Sequence, residues 1–458
     1  MKRFFSLLLV VFLLLPMTSC TKEEKELKYV FFFIGDGMSF SSIKLAEDTS
    51  KKNDLNFDDF DSVGVFKNED TTSLIPDSAS SGSAMATGVK VPQGNISKTS
   101  LGFNKDSILT LVKKKSDMKV GIITTANLNH ATPAVFYAHS ASRYNYYEIG
   151  TYLPKSDFDL FIGGEFLDAE GGEKDLYTLA KEGGYTVLDT KKEIKNIKDK
   201  NKKYLIISPD TDDSGMMKFA IDRQGGETTL ADYMSIAIDT LYNEKGFFIM
   251  CEGGRIDLAL HSNDAASAVC EIKDFSSAVD VALDFYKKHP DETLIIVTGD
   301  HETGGLSLGY TDTGYTTNFD FLKNQKLSYY KYQTEYVEKY VEKDTPFDKV
   351  LSDIEELFGL NESALYDFEI ETLEKAYEKT KLGTSYYTDE DKVLYSNRNP
   401  LVSQVTRLVA KKSGLNFSTF VHTASLMPLY AKGKGEENFT GTYDNTDIYN
   451  KLYELIIK

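Results

Sequence analysis

Tryptophan is absent from the 458 residues, and cysteine (three), histidine (six) and proline (ten) are scarce. Three cysteines exclude a disulfide-built scaffold. With 41% hydrophobic and 27% charged residues, the chain is neither collagen-like nor disordered. No apolar run reaches the roughly 20 residues that a membrane-spanning helix requires. Positive charge is also short: 52 Lys plus Arg stand against 70 Asp plus Glu, a formal net charge of −18. Such a chain repels phosphate backbones, which excludes nucleic acid as a partner. Any phosphate it does bind must be held by a local positive centre. The length allows up to about three average domains, and one large α/β domain with insertions fits equally well.

The N-terminus reads as an export signal. Lys2 and Arg3 precede the apolar stretch Phe4 to Leu15, which is broken only by Ser6, and Pro16-Met17-Thr18-Ser19-Cys20 follows. Small residues before Cys20 resemble the lipobox of a bacterial lipoprotein. The expectation is a signal peptide over 1–19, a lipidated Cys20 and a charged tether over 20–28. An ordinary signal peptide with an incidental cysteine is the alternative. The remaining cysteines, Cys251 and Cys270, are expected to stay unpaired. Cys251 ends an apolar run and reads as a buried small hydrophobe.

Short apolar runs recur along the chain: Tyr29 to Ile34, Val120 to Thr124, Tyr204 to Ile207, Phe247 to Met250 and Leu294 to Val297. Their lack of alternation predicts strands buried on both faces, and the helical patterns between them predict a mostly parallel sheet covered by helices. In such sheets ligands bind beyond the carboxyl ends of the strands. Asp36, Glu252 and Asp300 each sit at such an end. Residues of about 310 to 400 are rich in Tyr, Lys and Glu and predict an inserted helical cap. Within it Thr345-Pro346 reads as an N-cap and first helical residue, and Gly359 as the stop. Pro400 is expected to open another helix, ending near Gly414.

Three of the histidines have contexts that suit metal ligation. Asp257 and His261 are four apart, so one helical turn points both the same way. Asp300-His301 follows an apolar strand, and His422 follows Phe420-Val421. A scattered Asp/His set without cysteine suits zinc held by nitrogen and oxygen. A second signal is the small-residue stretch Asp77 to Gly88, which reads as a loop entering a helix. A serine at a helix N-terminus meets anions readily, because free N–H groups and the helix dipole favour negative charge there. Asp77-Ser78 alone would be read as an N-cap.

Taken together, these segments resemble the alkaline phosphatase family. The matching stretches are Ile34 to Met38, Asp77 to Lys90, His130 to Ala134, His139 to Arg143, Glu252 through Asp257 to His261, Thr298 to Gly305, and His422-Thr423. They occur in family order from about residue 29 to 431. The resemblance implies a three-layer α/β sandwich over 29–458, and hydrolysis of phosphate monoesters at alkaline pH. It implies Ser78 as a transiently phosphorylated nucleophile and Arg143 as the phosphate clamp, oriented by Asp77. Asp257, His261 and His422 would hold one zinc. Asp36, Asp300 and His301 would hold a second, which also touches the Ser78 oxygen. Asp36, Thr132 and Glu252 would hold a magnesium, with His130 beside it. Two metals about 4 Å apart stabilise the entering and leaving oxygens of an in-line displacement. Members of the family often dimerise, so a homodimer is an implied assembly.

Three positions depart from common family patterns. His130 stands where some members have Asp, Leu258 where relatives carry Lys, His or Trp near the phosphate, and Thr303 where some have a second histidine beside zinc. His139 reads as structural, and His289, beside Lys288 and Pro290, as a surface loop residue. The nearest rival is a phosphodiesterase or nucleotide pyrophosphatase of the same superfamily, but these usually lack the magnesium set and the clamp arginine. A non-catalytic phosphate- or metal-binding lipoprotein is a further alternative. The complete nucleophile, ligand and clamp set argues against it. The expected setting is a lipid-anchored protein in the periplasm or at the outer cell surface.

Overall fold

The computed structural model describes residues 26–49, 55–57, 59–361, 363–383 and 387–458. The signal peptide, Cys20 and most of the tether lie outside them. No helix among the described residues is long and apolar enough to cross a membrane.

Fourteen strands are present among the described residues: β1 (Tyr29–Gly35), β2 (Ser62–Lys67), β3 (Lys119–Asn127), β4 (Leu160–Gly164), β5 (Tyr185–Leu188), β6 (Lys203–Ile207), β7 (Phe247–Gly253), β8 (Thr293–Gly299), β9 (Glu302–Thr303), β10 (Leu306–Leu308), β11 (Leu415–Phe417), β12 (His422–Thr423), β13 (Met427–Gly433) and β14 (Gly441–Asp444). Ten of them form one sheet in the order β14-β2-β13-β8-β1-β7-β3-β4-β6-β5. Only β13 runs against the others.

All five runs read as strands lie in this sheet. Every residue of β1, β7 and β8 is buried. Alternate residues serve two separate cores, because successive side chains of a strand point to opposite faces. Phe31, Phe33, Ile249 and Val297 pack into one core with Ile272, Phe275 and Val279 of the helix Ala265–Tyr286. Val30, Phe32, Met250 and Ile296 pack into the other with Ala79 and Met85 of the helix Ser78–Thr87. Helix, sheet and helix thus make three layers. Cys251 is buried, Cys270 is half-buried, and both are free thiols.

The register of the central strands fixes where the chemistry sits. Gly35 pairs with Gly253 of β7 and with Gly299 of β8, and Ile34 pairs with Glu252. Parallel strands in this register end together. Neighbouring strands lie about 4.8 Å apart, so the residues at those ends share one small volume. Gly37 turns the chain there at φ +72, and its N–H donates to Asp300 Oδ1 at 3.0 Å. A Cβ at Gly37 would lie 2.8 Å from Thr303 Oγ1 and 2.9 Å from Asp257 Oδ1, so only glycine fits this approach.

The Tyr-, Lys- and Glu-rich stretch is helical, but its bounds differ from the expected 310–400. Helical elements run from Phe319 to Lys412 between β10 and β11. These two strands pair antiparallel, Leu306 with Phe417, and close the excursion at both ends. The helix Pro400–Lys412 therefore lies inside the insertion, where Leu401, Val405 and Val409 share a core with Ile354, Leu373 and Tyr377. Pro346 is the N-cap of Phe347–Phe358 rather than its first residue, and Gly359 ends that helix at φ 73.

Asp264 joins the insertion to the sheet layers. Its buried carboxylate caps the helix Ala265–Tyr286 through Ser267 N at 3.0 Å and Ser267 Oγ at 2.7 Å. It also accepts from Gln325 Nε2 and Tyr329 N, both at 2.8 Å, from the insertion. Asp264→Ala orphans four donors. It is expected to cost about 2–4 kcal/mol, read as a lower midpoint of urea denaturation.

Candidate metal centre and nucleophile

Asp36 and Asp300 lie one residue past β1 and β8, and Glu252 is the sixth residue of β7. The helix Arg255–His261 starts directly beyond β7 and carries Asp257 and His261 on successive turns. The short pairing of β12 with β9 sets His422 opposite Thr303. The imidazoles of His422 and His301 then stack with centroids 3.6 Å apart. Residues 121 positions apart in the chain thus meet at the edge where the parallel strands end.

Three groups of ligand-type atoms result: Asp257 with His301 and His422, Asp36 with Asp300 and His301, and Asp36 with His130 and Glu252. Within each, the atoms lie within 4.8 Å of one another. His261 adjoins the first group, its Nε2 being 3.2 Å from Asp257 Oδ2 and 3.1 Å from His422 Nε2. His301 therefore stands between the first two groups rather than in the second alone. Its Nε2 is 3.2 Å from Asp300 Oδ2 and 3.4 Å from Asp36 Oδ1. Thr132 joins the third group, donating to Asp36 Oδ2 at 3.2 Å.

The chemistry of these atoms calls for cations. His261 Nδ1 meets the Phe420 carbonyl at 2.5 Å, and His422 Nδ1 meets the Pro76 carbonyl at 2.8 Å. Carbonyls only accept, so both Nδ1 atoms carry hydrogen and, in neutral rings, both Nε2 lone pairs face each other. Glu252 Oε1, Asp300 Oδ2 and His130 Nδ1 are buried with no hydrogen-bond partner. Four buried carboxylates, Asp36, Glu252, Asp257 and Asp300, share the site, and its arginine, Arg143, is already paired with a fifth, Asp77.

The titration behaviour follows. Burial, with the charges of Asp300, Asp257 and Glu252, pushes Asp36 well above the carboxylate range. Burial pushes Asp300 up to about 8 and Glu252 up to about 7. Burial also holds His130 down to about 3, and lowers His301 and His422. Asp257 goes the other way: burial raises it, but His261, His422 and His301 together bring it well below the usual value. Without metal, protons take the place that cations suit better.

Ser78 is the first residue of the helix Ser78–Thr87, with Asp77 as its N-cap. Its Oγ lies 3.0 Å from His301 Nε2 and 3.4 Å from Asp36 Oδ1. Asp77 is bifunctional: Oδ1 accepts from Ser80 N at 2.9 Å and Oδ2 from Arg143 at 3.0 Å. Burial alone would raise Asp77, but Arg143 and the N–H groups of Ser80 and Gly94 bring it below the ordinary value. The pair therefore stays charged. Ser78, Arg143, His130, Asp257, His261 and His422 line one open cavity of about 770 Å³. None of its lining residues comes from the helical insertion.

All residues singled out in the sequence meet here, while His139 and His289 do not. His139 binds the Ser97 carbonyl, and His289 stacks on Phe285. The sequence reading missed several supporting residues. Thr124 donates a short bond to the other oxygen of Glu252. Asn68 and Ser81 both donate to the Asp300 carbonyl, at 3.0 and 2.8 Å. Thr303 donates to Asp257 Oδ1 at 2.6 Å and lies 3.2 Å from His301 Nδ1, so it links two of the groups. Thr303 was already singled out in the sequence as standing in place of a histidine beside zinc, and the structure adds the link it makes.

The chain is similar to known proteins along nearly its whole length. The family model described as alkaline phosphatase matches residues 27–456. Alkaline phosphatase 4 of Bacillus subtilis (strain 168) is 31% identical, over 96% of this chain and 91% of its own length. The crystal structure of a cold-active alkaline phosphatase from the psychrophile Shewanella sp. superposes with a TM-score of 0.78 at 26% identity, covering 94% of this chain and 100% of that one. A TAB5 alkaline phosphatase mutant with Mg bound in the M3 site gives a TM-score of 0.67 at 26% identity, covering 95% and 99%.

Metal removal should make stability fall with rising pH. Asp300 at about 8 and Glu252 at about 7 hold protons in the folded state that the unfolded chain releases near pH 4. Their contribution is thus lost as pH rises toward the folded values. The lowered histidines act oppositely, but only below their ordinary value of 6.5. The clean window is pH 6.5 to 8. There the thermal midpoint of chelator-treated protein should drop, and restored zinc and magnesium should abolish the drop. A flat or rising midpoint in the chelated protein would contradict the burial argument.

Proposed function

The chain belongs to the alkaline phosphatase family, and from that premise we propose that it hydrolyses phosphate monoesters to an alcohol and inorganic phosphate through a phosphoserine on Ser78. The observation that carries this reading is the position of Ser78 Oγ, buried at a helix N-terminus, 3.0 Å from His301 Nε2 and within one cavity with Arg143.

Asp257, His261 and His422 would hold one zinc, and Asp36, Asp300 and His301 a second. Asp36, Thr132 and Glu252 would hold a magnesium, with His130 beside it. The Mg in the M3 site of the TAB5 mutant supports the third position. When bound, such ions supply Lewis-acid charge that makes a serine oxygen nucleophilic and offsets negative charge on the leaving oxygen.

The chain's own residues do the rest. Arg143, held by Asp77, presents a planar guanidinium that forks onto two phosphate oxygens. The first turn of the helix Ser78–Thr87 adds N–H groups and a positive dipole end toward the same anion. Ser78 attacks phosphorus, the alcohol departs, and water then releases phosphate from the serine. Thr303 beside His301 Nδ1, and the Pro76 and Phe420 carbonyls beside His422 and His261, keep the imidazoles turned toward the site. Arg143, Thr132 and Glu252 together favour monoesters over diesters, since a clamp that grips two free phosphate oxygens suits a dianion. Export through residues 1–19, a lipid on Cys20 and a homodimer belong to the same reading, and rest on the sequence and the family likeness.

With zinc and magnesium supplied at alkaline pH, p-nitrophenyl phosphate should be turned over far faster than bis-p-nitrophenyl phosphate. Ser78→Ala should lower kcat/KM for the monoester by at least about 10³-fold. Preference for the diester would move the protein to the phosphodiesterase branch. Arg143→Lys should lower kcat/KM by about 10²-fold, because one ammonium cannot reproduce the fork.

A further inference from the structure

The phosphoryl half of the ester meets Ser78, Arg143 and the ligand groups; the alcohol half meets the outer part of the same cavity. That outer part has a distinct chemistry. Tyr144 and Tyr146 line it beside Arg143, and Ile75, Leu258 and Val421 line it as well. Tyr144 is 73% exposed, Val421 55% and Ile75 40%. The two tyrosine rings stand edge to face, with centroids 6.3 Å apart and planes at 86°. Tyr146 is fixed at the start of the helix Tyr146–Gly150, its carbonyl accepting from Asn129 Nδ2 at 2.9 Å. Tyr144 sits on the turn before it, its N–H donating to Ser142 Oγ at 3.2 Å.

Charge points the same way. Among the described residues, Arg143 is the only lysine or arginine lining the cavity, and Asp77 already engages it. A second phosphate or a carboxylate on the alcohol half would meet no free cation there, and would face Asp77 and Asp257 instead. An uncharged flat ring would cover exposed aromatic and aliphatic surface, which gains from desolvation and from edge or offset stacking.

We propose that this chain selects phosphate monoesters whose alcohol half carries a flat, uncharged aromatic ring, seated on Tyr144 and Tyr146. The selection rests on the monoesterase reading and specifies its substrate class. Two sources supply such a ring: a short aryl-alkyl alcohol, and a nucleoside.

Two substrate pairs test the idea with matched leaving groups. Benzyl phosphate is compared with cyclohexylmethyl phosphate, and adenosine 5′-monophosphate with ribose 5-phosphate. Each of the four releases a primary alcohol, so bond-breaking chemistry is held nearly constant. The metal-loaded wild type should favour the aromatic member of at least one pair by roughly 10-fold in kcat/KM, carried by KM. Tyr144→Ala should bring that ratio close to one, and Tyr144→Phe should keep it. A response confined to the benzyl pair assigns the ring to aryl-alkyl esters, and one confined to the nucleotide pair assigns it to nucleosides. Ratios near one in the wild type, or ratios unchanged in both Tyr144→Ala and Tyr146→Ala, would overturn the proposal. Failure to hydrolyse any of the four would overturn the monoesterase reading, and the proposal with it.

Discussion

Everything at the active centre depends on four buried carboxylates, Asp36, Glu252, Asp257 and Asp300, spread over three ligand groups that share Asp36 and His301. Like charges so grouped in a low-dielectric interior do not all ionise unless cations join them. The sheet forces them together. β1, β7 and β8 run parallel and in register, and their last residues open into the same space. Gly37 lets the backbone of one turn come up against Asp257 and Thr303. The molecule therefore carries a stored electrostatic demand, which metal ions meet and protons meet less well.

The proposed nucleophile, Ser78, is set against that demand from the opposite layer. Its helix packs by small residues onto the second core, so the N-terminus comes close to the strand ends. Asp77 serves two structures with one side chain, capping the helix and bracing Arg143. Arg143 and Ser78 are thereby tied to one rigid helix start. A loop could carry the same residues, but not with comparable preorganisation.

The acidic surface and the aromatic mouth serve one logic. A chain of net charge −18 attracts a phosphate only through concentrated local charge, supplied by Arg143 and the metals its ligand groups suit. Beyond that centre the cavity is lined by tyrosine, leucine, isoleucine and valine together with Ser73, Pro76, Gln93 and Gly94. On the proposed reading, charge at the bottom recognises the phosphate, and shape and desolvation at the top recognise the remainder of the ester.

The strands of the central sheet were legible because burial on both faces demands uninterrupted apolar runs, as in YVFFFI and LIIV. The ligand residues were legible because strand-end Asp and His, the Asp257/His261 spacing and the Asp77-Ser78 cap are local patterns, and because they recur in family order. What the sequence could not express is how distant segments register. His301 stands between two ligand groups because β12 folds back on β9 and brings His422 to it, and Thr303 couples Asp257 to His301 because the helix Arg255–His261 packs against β9. Thr124, Asn68 and Ser81 are ordinary polar residues until tertiary packing gives each a buried acceptor. The insertion reached Lys412 because the pairing of β10 with β11 closed it, a contact between residues more than a hundred positions apart. Sequence determined the element types and the chemical inventory, since these follow from local periodicity and residue chemistry. Tertiary structure decided which atoms share a site, because that depends on strand register and non-local pairing, which no local pattern encodes.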